Sequence, residues 1–257
     1  MARRLVDSGE KLCRLRRSLM TPTHTQQTPF VGTLTDFAVR DRRVALVVID
    51  MIKASADEGT GWARMYRQMG LDSIPDHYLG RLGNVAVPHI KRLLEAFRST
   101  GWPVIYTTLA SEREDYGDLT PRTRRQIRDW LAQGYAHPYP RLWEDGASII
   151  ADLAPGPRDI VVNKTRLSAF HGSSFPDRLR EIGVEALVFT GMATNYCVMA
   201  TLLDAYDHGF DCLLVEDATA TLTEAMQSGA IDFVAPFARV ATTDALLDEI
   251  GGPRAPA

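Results

Sequence analysis

Residues 186–201 read ALVFTGMATNYCVMAT. A short apolar run closes at Thr190-Gly191, a compact turn follows, and a helix is expected from about Asn195. A strand–turn–helix of this kind aims the free N–H groups of a helix start at whatever lies beside Cys197. A thiol placed there is a candidate nucleophile, because positive helix-terminal potential favours thiolate. Cysteine is also among the most often buried residues, so an inert core thiol is the competing reading. Two charged residues end similar runs: Asp50 closes VALVVID and Lys164 closes DIVVNK.

Outward from this stretch, short apolar runs alternate with helical patterns. The runs are 44–49, 104–108, 160–162, 186–189, 212–215 and a weaker one at 238–241. Most are unbroken rather than alternating, as strands covered on both faces are. Helices are expected from Pro88 to before Gly101, from Pro121 towards Gly134, and from Phe175 to Ile182 with Gly183 as C-cap. Others are expected from Asn195 to His208, Leu222 to Phe233 and Asp244 to Ile250. The fold predicted is α/β: a three-layer doubly wound domain over residues 41–257, with a mostly parallel sheet of about six strands and helices on both faces. Sites in such sheets lie beyond the carboxyl ends of the strands, so Asp50, Lys164 and the turn before Cys197 share the relevant edge. Residues 51–87 read as long and irregular, with Trp62, Tyr66, Met69 and Tyr78. Residues 110–158 form a second aromatic-rich insertion, with Tyr116, Tyr135, Tyr139 and Trp143. Either insertion is a candidate wall or subunit contact.

Residues 1–40 differ from the rest. Six basic residues precede Ser18, and TPTHTQQTP follows. This reads as an arm that is mobile or wraps a neighbouring subunit, against the plainer reading of a segment with no role. It lacks the continuous apolar stretch of a secretory signal. The 257 residues carry a formal net charge of -3, 45% hydrophobic and 24% charged side chains, so neither nucleic acid nor an anionic membrane is the expected partner. No apolar run reaches the roughly 18 residues of a membrane span. Three cysteines without metal-type spacing suit a reducing, cytoplasmic setting. Cys212, inside the run CLLV, reads as a core residue.

Asp50 at the end of six apolar residues must be hydrated, paired or used. As a base it would take a proton from Cys197 and return it to a leaving amine; the competing reading is loop capping. Lys164 would favour thiolate and hold Asp50 ionised, or else form a purely structural salt bridge, a task Arg166 is also placed to do. Backbone N–H groups near Ala193 and Cys197 are candidates for an oxyanion hole. Such a set suits attack on an amide or ureide carbonyl.

The segments VVIDM, NKTRLSAFHGS, TGMATNYCVMATLLDAYDHGF and VEDATA resemble the isochorismatase-like cysteine hydrolases, from about Val44 to Ala241. The resemblance implies an Asp50–Lys164–Cys197 triad and a non-proline cis peptide at Met192–Ala193. It also implies an oxyanion hole from the N–H groups of Ala193 and Cys197. Nicotinamidases of this superfamily carry an Asp-x-His metal site, whereas here Asp76-His77 is adjacent and His89 sits at a helix start, so no metal or other cofactor is expected. Relatives that hydrolyse N-carbamoylsarcosine, biuret and ureidoacrylate imply a small linear ureide or amide as substrate, and a homodimer or homotetramer as assembly. Phe170, Asn195 and Tyr196 are substrate-binding candidates, against core packing, a helix cap and helix packing respectively. Arg113, Arg141 and Arg166 are candidates for a substrate carboxylate. A simple carboxamide substrate, or a catalytically silent binding scaffold, are the alternatives.

Overall fold

The computed structural model describes residues 37–251, so most of the expected arm lies outside the described residues. Where the chain enters, Phe37 and Val39 are already buried against one helical layer. Six strands form one sheet: β1 Val44–Ile49, β2 Val104–Leu109, β3 Ile160–Lys164, β4 Ala186–Met192, β5 Asp211–Ala220 and β6 Arg239–Ala241. Their order is β3-β2-β1-β4-β5-β6, and every neighbouring pair is parallel.

The central strand shows why the apolar runs are unbroken. All six residues of β1 are buried. Val44, Leu46 and Val48 face one layer and Ala45, Val47 and Ile49 the other. Alternating side chains of one strand thus feed two cores. The first layer holds α1 Gly61–Gln68, α2 Ser73–Arg81, α3 Val87–Thr100 and α8 Thr243–Gly251. The second holds α5 Phe175–Ile182, α6 Met199–Asp207 and α7 Glu224–Val234. The remaining helix, α4 Pro121–Ala132, belongs to the second insertion. Cys212 is a core residue as expected: burial pushes its thiol up to about 12.

Residues 51–87 are not irregular. A single helical turn, Lys53–Ala56, is followed by α1 and α2, and a π turn over Leu82–Ala86 leads into α3. Glycine and proline hid this. Pro88 lacks the N–H that would bond back one turn, and the π turn sits directly before it, where an α-helical ladder would lose that bond. Gly61 starts α1 at φ 45°, so close that a Cβ there would lie 1.9 Å from the Ala54 carbonyl oxygen.

Strand order reverses between β1 and β4, which makes their carboxyl ends the topological switch point. Gly191 makes that close approach sterically possible. It pairs with Ile49 at φ 103°, and a Cβ would fall 2.1 Å from the Ile49 carbonyl oxygen. Gly191→Ala should therefore cost more than about 3 kcal/mol of unfolding free energy, because both backbone angle and space oppose it. Urea unfolding checks this; a loss below 1 kcal/mol, roughly that of an ordinary surface change, would contradict it.

Candidate active site

Asp50 is the first residue after β1. Its φ of 50° puts a non-glycine residue in the left-handed region, which aspartate tolerates better than most. The turn aims the carboxylate back over the sheet edge, where it is 2% exposed. Oδ1 accepts a hydrogen bond from Thr107 Oγ1 at 2.8 Å, and the Asp50 N–H donates to the Thr107 carbonyl at 3.1 Å. Oδ2 meets Lys164 Nζ at 2.7 Å, with both side chains almost wholly buried.

Lys164 comes from β3, two strands from β1, a gap of roughly 9–10 Å at normal strand spacing. The long lysine stem crosses that gap over the end of β2. Its ammonium also donates to the Arg166 carbonyl at 3.0 Å. Burial works against the charge, but Asp50 and Cys197 outweigh it and hold the lysine pKa above its ordinary value.

Cys197, 5% exposed, lies close enough to both Asp50 and Lys164 for each to act on its thiol. The three strand-end groups therefore meet in one place. The Met192–Ala193 peptide is cis, and a π turn, Thr194–Val198, precedes α6, so Cys197 sits in that turn rather than in an α-helical first turn. The expected thiolate does not follow. Burial, with the neighbouring Asp50 charge, outweighs the lysine and pushes the thiol up to about 12. The resting site is a neutral thiol beside a carboxylate–ammonium pair.

Polar contacts that the sequence did not signal fix this turn. Thr194 Oγ1 donates to Gln227 Oε1 at 2.8 Å, and Gln227 Nε2 donates to Thr219 Oγ1 at 3.0 Å. Thr201 Oγ1 donates to the Cys197 carbonyl at 2.7 Å and accepts from the Ala169 N–H at 3.2 Å. Thr107, the fourth residue of β2 and opposite Ile49, was a usable signal, since it is the first polar residue after an apolar run and lies next to Asp50.

The remaining sequence candidates divide. Asn195 is not a helix cap: its Oδ1 accepts from Thr221 Oγ1 at the end of β5. Phe170 is buried, stacked on His208 at 4.7 Å and edge-on to Phe175 at 5.3 Å. Tyr196 is 43% exposed beside Cys197. Both insertions reach the site. Trp62 of α1 packs on Tyr139 of the second insertion at 6.1 Å, and burial, with Cys197 as a smaller influence, pushes the Tyr139 phenol up to about 12. Arg113, Arg141 and Arg166 are already engaged, with Asp115, with Glu144 and with the Asp118 carbonyl. Asp76 pairs with Arg67, and His89 bonds to the Asp217 carbonyl. Among the described residues no group of three or more His, Cys, Asp or Glu is arranged to hold a metal ion. No helix among them is long and apolar enough to cross a membrane.

Residues 44–245 match the isochorismatase domain model. The ureidoacrylate amidohydrolase of Variovorax paradoxus (strain S110) is 34% identical over 193 residues, 69% of this chain and 69% of that protein. An isochorismatase family protein from Desulfovibrio vulgaris aligns with a TM-score of 0.65 at 28% identity, covering 80% of this chain and 97% of that one. A cysteine hydrolase from Pseudomonas syringae pv. phaseolicola 1448A shares the fold, with a TM-score of 0.66 at 24% identity over 88% and 98% of the two chains.

Two measurements follow from this geometry. Because the folded thiol holds its proton above the ordinary value of 9.0, up to about 12, the ultraviolet thiolate absorbance lost in Cys197→Ser should be absent at neutral pH and emerge only in alkali. In that same alkaline window the unfolded chain has released a proton that the folded one retains, so stability falls as pH rises. A full thiolate signal at neutral pH would contradict the site as described. Thr107→Val removes the bond that orients Asp50, so any turnover should fall about 10- to 100-fold in kcat with little change in KM. An unchanged kcat would remove Thr107 from the site.

Proposed function

The chain belongs to the isochorismatase-like hydrolase family, and on that premise we propose that it cleaves the C–N bond of a small linear ureide or carbamoyl compound through a covalent intermediate on Cys197. The observation that supports this best is the buried Asp50–Lys164 contact of 2.7 Å with the Cys197 thiol in reach of both. The family assignment makes it a cysteine-type amidohydrolase of small C–N substrates; the ureide and the steps below are the proposal.

Asp50 takes the thiol proton as Sγ attacks the carbonyl carbon, so no free thiolate has to persist in the buried site. Charge that develops on the carbonyl oxygen is received by the N–H groups of Ala193 and Cys197. The C–N bond breaks as Asp50 returns the proton to the departing nitrogen, leaving an acylated sulfur. Water then attacks that carbonyl, giving its proton to Asp50. The sulfur leaves, takes the proton back, and a carboxylic or carbamic acid is released. Lys164, 2.7 Å from Asp50, offsets the charge that builds nearby in each half. Asn195 and Tyr196 border the substrate; the Phe170 ring packs on His208 and Phe175. The carboxamide alternative keeps the same steps with carbon in place of the second nitrogen.

Ammonia release from a panel of biuret, N-carbamoyl amino acids, ureidoacrylate and nicotinamide tests this. Cys197→Ala and Cys197→Ser are expected to lose turnover about 10⁴-fold or more while circular dichroism stays native. Activity should survive a chelator. Undiminished turnover in both variants overturns the nucleophile, and activity lost to chelator and restored by zinc overturns metal independence.

A further inference from the structure

The short segment between β4 and the turn that carries Cys197 is pinned at both ends. Gly191 pairs with Thr219 of β5, and Met192 with Ala220. Beyond them Thr194 Oγ1 donates to Gln227 Oε1 at 2.8 Å, and Gln227 Nε2 donates to Thr219 Oγ1 at 3.0 Å. The circuit thus closes where it began: along the chain from Gly191 to Thr194, then through Gln227 of α7 back to Thr219. Met192 and Ala193 lie between the two pins, and the π turn holding Cys197 starts at Thr194. The Ala193 carbonyl accepts from the Tyr196 N–H at 2.9 Å and the Val198 N–H at 3.3 Å, so a displacement of Thr194 is passed to the peptide groups around Cys197.

The circuit has one polarity. Thr194, Thr219 and Gln227 are almost wholly buried, so bulk water does not replace a lost partner. Thr219 Oγ1 gives its proton to the Glu216 carbonyl at 3.2 Å. It can then only accept from Gln227, which turns Nε2 towards Thr219 and Oε1 towards Thr194. Arg81 of α2 fixes the far side, donating to the Glu216 and Thr219 carbonyls at 3.0 Å each. A carboxylate in place of the amide would keep the acceptor and lose the donor. Packing alone calls for no amide here, since apolar side chains of similar size would fill the same space.

Resting on the cysteine-hydrolase reading above, we infer that Gln227 is a positioning residue for the oxyanion hole: through Thr194 it holds the N–H groups of Ala193 and Cys197 where the substrate's carbonyl oxygen acquires charge. Donors aimed in advance lower the barrier, whereas donors that must first be brought into place do not. Small displacements matter at this range, so a residue with no substrate contact can set the rate. The effect belongs to the transition state, where the oxygen is charged, and so to kcat rather than KM. The acid and the amine come from the ends of β1 and β3, outside the circuit, so sulfur chemistry that puts no charge on a carbonyl oxygen is untouched.

With the full chain, Gln227→Met should lower kcat for the best ureide about 10- to 100-fold and leave KM within about twofold. Gln227→Glu should match the parent kcat while its carboxyl is protonated and can donate to Thr219, then lose about tenfold relative to the parent as pH rises and it ionises. Methyl methanethiosulfonate is the control: Cys197 attacks its sulfur, methanesulfinate leaves, and no carbonyl is involved. That rate, followed by peptide mass, should change less than about twofold in Gln227→Met. Equal losses in both reactions, or an unchanged kcat, overturn the inference. Isotope-labelled acetaldehyde followed by NMR needs no turnover: sulfur bonds the carbonyl carbon, the thiol proton ends on the oxygen, and that oxygen takes the hole. The adduct should be about tenfold weaker in Gln227→Met; equal affinity, or no adduct at Cys197 in the parent, overturns the inference. If the parent turns over no ureide, the ureide reading fails and the acetaldehyde adduct decides Gln227 alone. If circular dichroism shows Gln227→Met unfolded, the pH dependence of Gln227→Glu decides, and a flat ratio to the parent overturns the inference.

Discussion

A carboxylate and an ammonium buried 2.7 Å apart at the rim of a sheet are what the rest of this structure has to accommodate. Taking both from water costs several kcal/mol per ion, and their attraction does little more than offset it. Such a pair needs its remaining valences filled. Thr107 fills one on Asp50, and the Arg166 carbonyl takes one proton of Lys164. What remains is the thiol, which meets both ions. Stability alone gives little reason to keep this arrangement; a proton path between sulfur and carboxylate gives a chemical one.

The fold brings the parts together by steps that each have a local cause. β1 and β4 are neighbours at the point where strand order reverses, so Asp50 and the turn before Cys197 start adjacent. Gly191 removes the one side chain that would hold them apart. The lysine is long enough to arrive from two strands away. Beyond them, the register of β4 on β5 shifts between Phe189 and Gly191, which sets Thr219 opposite Gly191, where Gln227 links it to Thr194. Aromatic rings from the two separate insertions pack on one another through Trp62, Trp130 and Tyr139.

Much of this was legible in the sequence, and the reasons are physical. Unbroken apolar runs belong to strands buried on both faces, and β1 was readable to the residue. Phe175–Ile182 was readable because its capping glycine, Gly183, adopts the left-handed conformation that ends a helix. Asp50 and Lys164, the charged residues at the carboxyl ends of β1 and β3, marked the site edge. Residues 51–87 failed because Pro75, Gly80 and Gly83 look like breakers, whereas Pro75 sits early in α2, Gly80 lies within it and Gly83 falls in the π turn. Gln227 gave no signal, being one polar residue on a helix whose partners come from elsewhere in the chain. The protonation of Cys197 was misjudged because the sequence shows neighbouring charges but not the depth of burial that outweighs them. The contacts of Arg113 and Arg141 with Asp115 and Glu144, and of Arg166 with the Asp118 carbonyl, gave no signal because those partners lie in loops.

The central claim is that sulfur, carboxylate and ammonium act as one unit, and a mutational cycle measures this most directly. Turnover of the best ureide would be compared for Asp50→Asn, Cys197→Ser and the double variant, each verified as folded. If the two groups share one proton path, each single change should cost nearly as much as both together. Losses that simply multiply, with Asp50→Asn impairing the Cys197→Ser protein as much as the parent, would show the groups acting independently and contradict the account.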